Sequence, residues 1–122
     1  MLEGIFGNII VEKILFMLYV YEEGYPLGMA KTFKQPVNRF QQQLKRLENA
    51  GVIVSRLIGR VRVYTYNPRY PFLEEVKALI AEAFEFLPEK EKDAYYKKRT
   101  RPRRPGKPSL RTGKEVKRPN RT

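Results

Sequence analysis

Three features of the sequence predict a mainly helical α+β domain with one β-hairpin, in the order α-α-α-β-β-α. Apolar residues recur at helical spacing within residues 8–21, 36–50 and 71–87. Two β-branched and aromatic runs, 52–58 and 61–67, flank the dipeptide Gly59-Arg60. From Arg99 onward Pro, Gly, Lys and Arg dominate and no apolar period survives, so a basic tail, disordered when alone, is expected to follow the domain.

The first helix covers residues 8–21, with Asn8 as its N-cap. Ile9, Ile10, Ile14, Met17, Leu18 and Tyr21 fall at helical spacings, and the segment is apolar nearly all round after Lys13. Such a helix belongs at the centre of the core or in a dimer interface. Glu22-Glu23-Gly24 ends it. Residues 26–33, PLGMAKTF, form a short second helix with proline in its first turn. Lys34-Gln35 is a tight turn, and Pro36 opens the third helix, 36–50. The stripe of that helix is Val37, Phe40, Leu44 and Leu47, and Gly51 sits at its C′ position.

Gly59-Arg60 fits a two-residue hairpin loop with glycine first. With that loop, Arg62 pairs across from Leu57, and Arg56 lies one step further from the tip. Asn67-Pro68 breaks the chain, and Pro71 starts the last long helix, 71–87, which Pro88 stops. Its apolar face is Phe72, Leu73, Val76, Leu79, Ile80, Ala83, Phe84 and Leu87; Glu74, Glu75, Glu82 and Glu85 form an acidic one. The chain divides into a domain at 1–88, a short helical extension at 89–98 and the tail at 99–122. Tyr95 and Tyr96 in the extension are expected to pack on the first or last long helix.

Composition limits the chemistry. The 122 residues suffice for one domain with a modest core. The chain has no cysteine and no histidine, which excludes disulfide scaffolds, zinc fingers, Cys or His catalysis and soft-metal sensing, so no metal and no cofactor are expected. It fits a reducing compartment. The most apolar run, ILFMLYVY at 14–21, is too short for a bilayer, which needs about 20 residues. No membrane partner and a cytoplasmic, nucleoid-associated setting are therefore expected.

Charge is uneven. Residues 97–122 carry twelve Lys/Arg and one acid, Glu115, a balance of +11. Residues 1–96 carry thirteen Lys/Arg and twelve acids, a balance of +1. A near-neutral body with a strongly basic arm points to phosphates.

With Phe40, Leu44 and Leu47 inward, the third helix turns Asn38, Arg39, Gln41, Gln42 and Lys45 outward, with no carboxylate before Glu48. Asn and Gln pair bidentately with adenine and Arg and Lys with guanine, so this face suits a major groove. Lys34, in the turn before it, joins the candidate set. Arg56, Arg60 and Arg62 gather at one end of a thin projecting ribbon, a wing that reaches flanking backbone or minor groove.

The stretch FQQQLKRLENAGVIVSRLIGRVRVYTYNP resembles the recognition-helix-plus-wing segment of winged helix-turn-helix transcriptional regulators of the ArsR or MarR type. The likeness rests on Leu44, Leu47, Ala50, Gly51, Val52, Gly59, Arg60, Tyr64 and Tyr66, and extends over residues 5–87. It implies a winged helix-turn-helix fold and a homodimer through the first and last helices, here Ile9, Ile10, Leu79, Ile80, Phe84 and Leu87. It also implies double-stranded DNA as partner, read by Asn38, Arg39, Gln41, Gln42 and Lys45. Metal sensing through Cys or His does not carry over, and any effector or protein partner is unknown.

In the tail, RPRRPGKP at 101–108 resembles an AT-hook, with Arg103-Arg104-Pro105-Gly106 where that motif has Arg-Gly-Arg-Pro. Arg101, Arg103 and Arg104 are its candidate DNA contacts. Catalysis finds no support: Ser55 and Ser109 have no evident partner, and no Gly-rich phosphate loop occurs. The sequence therefore predicts sequence-specific double-stranded DNA binding by a dimeric transcriptional regulator. Its rivals are an RNA- or ribosome-associated protein and an antitoxin-like protein-interaction module.

Overall fold

The computed structural model describes residues 1–97. At its centre is α2, Ile9–Tyr21, which buries Val11, Ile14, Leu15, Phe16 and Leu18 almost completely. Asn8 is extended, and its Oδ1 accepts from the Ile10 N–H at 2.7 Å, the expected cap. α2 is packed against α4, α5 and β2, so nearly every side of it meets protein. Glu22, in the left-handed region at φ 72°, ends the helix.

One helix was not anticipated. α1, Glu3–Phe6, is a single turn closed by Gly7 at φ 75°. Its anchor is a buried carboxylate: Glu12 of α2 accepts from the Leu2 N–H at 2.6 Å, and Leu2 itself is buried. A carboxylate inside a core needs such a donor.

α3, Pro26–Phe33, has proline at its start and buries Met29, Ala30 and Phe33. Lys34, left-handed at φ 56°, turns the chain toward α4, Val37–Asn49. Pro36 caps α4 rather than belonging to it, because its ψ of 139° is extended. Phe40 and Leu44 are fully buried, and Phe40 stacks on Phe33 at 5.9 Å. The helix ends in a Schellman motif, in which Gly51 at φ 86° lets its own N–H reach the Glu48 carbonyl and the Val52 N–H reach that of Leu47, both at 3.0 Å.

β1, Ile53–Ile58, and β2, Val61–Tyr66, pair antiparallel about Gly59-Arg60, with Leu57 opposite Arg62 as the loop length requires. The strands are one residue shorter than expected at Val52 and Asn67, although the Asn67 N–H still donates to the Val52 carbonyl. Gly24 pairs with Tyr64 through two backbone hydrogen bonds, which fastens the hairpin to the α2–α3 connection. The Tyr66 hydroxyl fastens it to α2 by donating to the Leu15 carbonyl at 2.7 Å.

α5, Leu73–Glu85, starts after Pro71 and stops before Leu87, inside the expected span. Pro88 then caps α6, Glu89–Tyr95. Tyr96 packs as expected, against Phe16 of α2 and Phe84 of α5, whereas Tyr95 meets Phe33 of the short helix α3 at 4.8 Å. The Lys13 ammonium lies 4.7 Å from the Phe33 ring centre.

Over the described residues the architecture is α+β, four helices, a two-stranded hairpin and two further helices, in the arrangement of a winged helix. The order α-α-α-β-β-α is thus extended by α1 and α6. Among the described residues no helix is long and apolar enough to cross a membrane.

Candidate nucleic-acid interface

The α4 surface follows from its core. Burial of Phe40 and Leu44 fixes the rotation of the helix, and Asn38, Arg39, Gln41, Gln42 and Lys45 are all exposed. The first turn carries no acid. Arg39 bonds Gln35 Oε1 at 2.9 Å, so its guanidinium is oriented from the preceding turn, and Lys34 lies exposed in that same turn. Gln43 is half-buried. Arg46 turns away from the set, donating to Gln43 Oε1 at 2.9 Å and to the Phe6 carbonyl rather than to any acid.

The acid on this helix is engaged. Glu48 is half-buried and accepts from the Ser55 hydroxyl at 2.7 Å. Ser55 in turn accepts from Arg62 Nη1 at 3.0 Å. Arg62, Ser55 and Glu48 therefore form a polar relay that ties β2 through β1 to the end of α4. Sequence reasoning missed it: Ser55 had no evident partner because Glu48 lies seven positions away, across the Gly51 turn. Tyr64, paired with Ser55 on the same ribbon face, has its phenol pushed up by burial and then by the Glu48 carboxylate, against the Arg62 charge.

The wing arginines share the distal half of the ribbon but not a face. Directly paired residues lie on one side, so Arg62 belongs with Leu57, Ser55 and Tyr64, and Arg56 with Val63 on the other. Arg56 pairs with Glu23 of the α2–α3 connection at 2.8 Å, both side chains being half exposed. Arg60 occupies the loop and is exposed. The structure thus brings Arg62 toward α4 and directs Arg56 elsewhere, which corrects the expectation of one cluster. The wing is also more apolar than its arginines suggest, because Leu57 and Ile58 are 60% and 50% exposed. Arg101, Arg103 and Arg104 lie outside the described residues.

The residues expected at a dimer seam differ in burial. Ile10, Ile80 and Leu87 are core residues, with Ile80 wholly inaccessible. Phe84 is half-buried among Phe16, Tyr19 and Tyr96. Ile9 and Leu79 stay at the surface. The large exposed apolar residues of α5 and its caps are Leu79 within the helix, Phe72 at its N-cap and Phe86 at its C-cap, spaced seven residues apart. The monomer core needs the other edge of the apolar face, and the sequence pattern alone does not divide the two.

No family model matches the chain, and no curated protein matches it. Two solved structures are similar to it, both of a mutant form of Lactococcus lactis ZitR. The first, in apo form, has a TM-score of 0.43 at 16% identity, covering 72% of this chain and 76% of that one. The second has the same score and identity over 68% of this chain and 64% of that one. Likeness this distant assigns neither family nor function to the present chain.

Proposed function

We propose that the chain is a sequence-specific double-stranded DNA-binding protein acting as a dimeric transcriptional regulator. The observation that carries the reading is the surface of α4. Five side chains able to read bases or phosphates stand exposed along it, and the carboxylate that would repel phosphate, Glu48, is half-buried against Ser55. In this reading Asn38, Arg39, Gln41, Gln42 and Lys45 meet base edges in the major groove. Lys34, Arg60 and Arg62 meet flanking phosphates, and Arg101, Arg103 and Arg104 of the tail add charge. Arg56 contributes less, being paired with Glu23. No catalytic step belongs to this reading.

The seam with a second copy is drawn through Phe72, Leu79 and Phe86, with Ile9 as a further apolar contact. Exposed apolar residues at heptad spacing on the last long helix and its two caps support it. Such a dimer presents two α4 helices to two half-sites.

Selection of the full chain on a random-sequence duplex DNA pool, with sequencing of the bound fraction, tests the reading. A palindromic motif is expected. Binding without enrichment overturns base reading, and preference for structured RNA in competition favours the RNA-associated alternative.

A further inference from the structure

An open groove of about 880 Å³ lies between the wing and the body, and no residue of α4 lines it. The wing contributes Ile58 and Val61, which are 50% and 42% exposed. The body contributes three tyrosines: Tyr21 from α2, Tyr25 before α3 and Tyr95 from α6. The Tyr25 ring rests on the bare backbone of Gly28, where a Cβ would come within 2.9 Å of Cζ. The ring is thereby set in place while the residue stays 44% exposed.

Lys97 also lines this groove, so the chain passes into residues 98–122 from within it. That segment carries Pro102, Pro105 and Pro108 at intervals of three. A polyproline II strand has three residues per turn, so the prolines fall on one edge and Arg101, Arg104 and Lys107 on the next. At about 3.1 Å per residue, a polyproline II strand of five steps from Lys97 to Pro102 would span roughly 15 Å. Proline-rich strands bind aromatic-lined grooves because their backbone is already ordered. Glu23, which lines the groove and is held by Arg56, is the acid nearest the basic edge.

We propose that this groove is the docking site of the chain's own segment 101–108, held as a polyproline II strand. Pro102, Pro105 and Pro108 lie against Tyr21, Tyr25 and Tyr95 and against Ile58 and Val61 of the wing. Docking fills the gap between wing and body and leaves Arg101, Arg104 and Lys107 along the groove's open side. The basic charge of the tail is then held beside the wing instead of trailing from α6. The proposal stands whether or not the protein reads DNA.

The test is methyl NMR on the full chain, comparing the native sequence with a Pro102→Ala/Pro105→Ala/Pro108→Ala variant. The Ile58, Val61, Val63 and Met29 methyl resonances are expected to shift, while those of Ile53 and Ile80 in the core stay in place. The shifts should not depend on protein concentration, and Tyr25→Ala should abolish the difference between native and triple-variant tails. Unchanged groove resonances overturn the proposal. Shifts that grow with concentration overturn docking in cis in favour of a second copy's tail. Equal shifts from Arg101→Ala/Arg104→Ala/Lys107→Ala with the prolines intact overturn the proline edge in favour of charge alone.

Discussion

Ser55, on the first strand of the wing, donates its hydroxyl to the Glu48 carboxylate in the last turn of α4 at 2.7 Å. The same oxygen receives Arg62 from the second strand. The angle between the wing and α4 is thus set by a polar bridge as well as by the Gly51 turn.

Ser55→Ala removes both hydrogen bonds and leaves Glu48 half-buried without its donor. The expected loss is about 1–2 kcal/mol of unfolding free energy, read by urea denaturation. Ser55→Thr keeps the hydroxyl and is expected to retain most of the native stability. A native midpoint for Ser55→Ala would show that the relay does not hold the wing.

Under the proposed function, Gln42→Ala and Lys45→Ala should each cost about 1–3 kcal/mol of operator binding and little nonspecific binding. Arg60→Ala should weaken both and lower the salt slope by roughly one phosphate contact. Competition titrations at several salt concentrations read all three. Equal losses from every variant would remove the division between base reading and phosphate contact.

Under the proposed function, the seam with a second copy separates two neighbouring residues. Leu79→Glu is expected to leave the helical circular dichroism intact and convert a dimer to a monomer in sedimentation. Ile80→Ala, at a fully buried position, should instead cost about 2–5 kcal/mol of stability. A Leu79→Glu chain that still sediments as a dimer places the seam elsewhere.

Two phenols link stability to alkaline pH. Burial pushes Tyr66 and Tyr96 well above the ordinary tyrosine value of 10.0, and the Glu91 carboxylate adds to the effect at Tyr96. The Tyr66 hydroxyl is committed to the Leu15 carbonyl and loses that bond on ionising. A folded state that raises these values favours the neutral phenol, so this contribution is whole below about pH 10 and is lost as pH rises past it. Thermal melts should show the transition temperature falling above that pH, and Tyr66→Phe should flatten the fall. A transition temperature indifferent to pH in that range would contradict the burial of both phenols.

The sequence by itself determined the local elements and their order. Asn8, Pro26, Gly51 and Gly59 act through backbone conformation and near-neighbour hydrogen bonds, so their roles were legible from adjacent residues. The rotation of α4 was legible too, because the Phe40–Leu44 stripe leaves one inward solution and so fixes which residues face out. Tertiary structure alone decided what depends on pairs distant in the chain. The turn of α1 depends on Glu12 receiving the Leu2 N–H, and the site of the wing on Gly24 pairing with Tyr64. The state of Glu48 depends on Ser55, and the separation of Arg56 from Arg62 on strand pleat and on Glu23. On α5 and at its two ends the packed core took Ile80 and Leu87 and left Phe72, Leu79 and Phe86 outside. A periodic apolar face states that burial will occur. Which edge is buried is set by the volume that α2 and the aromatic cluster leave to fill.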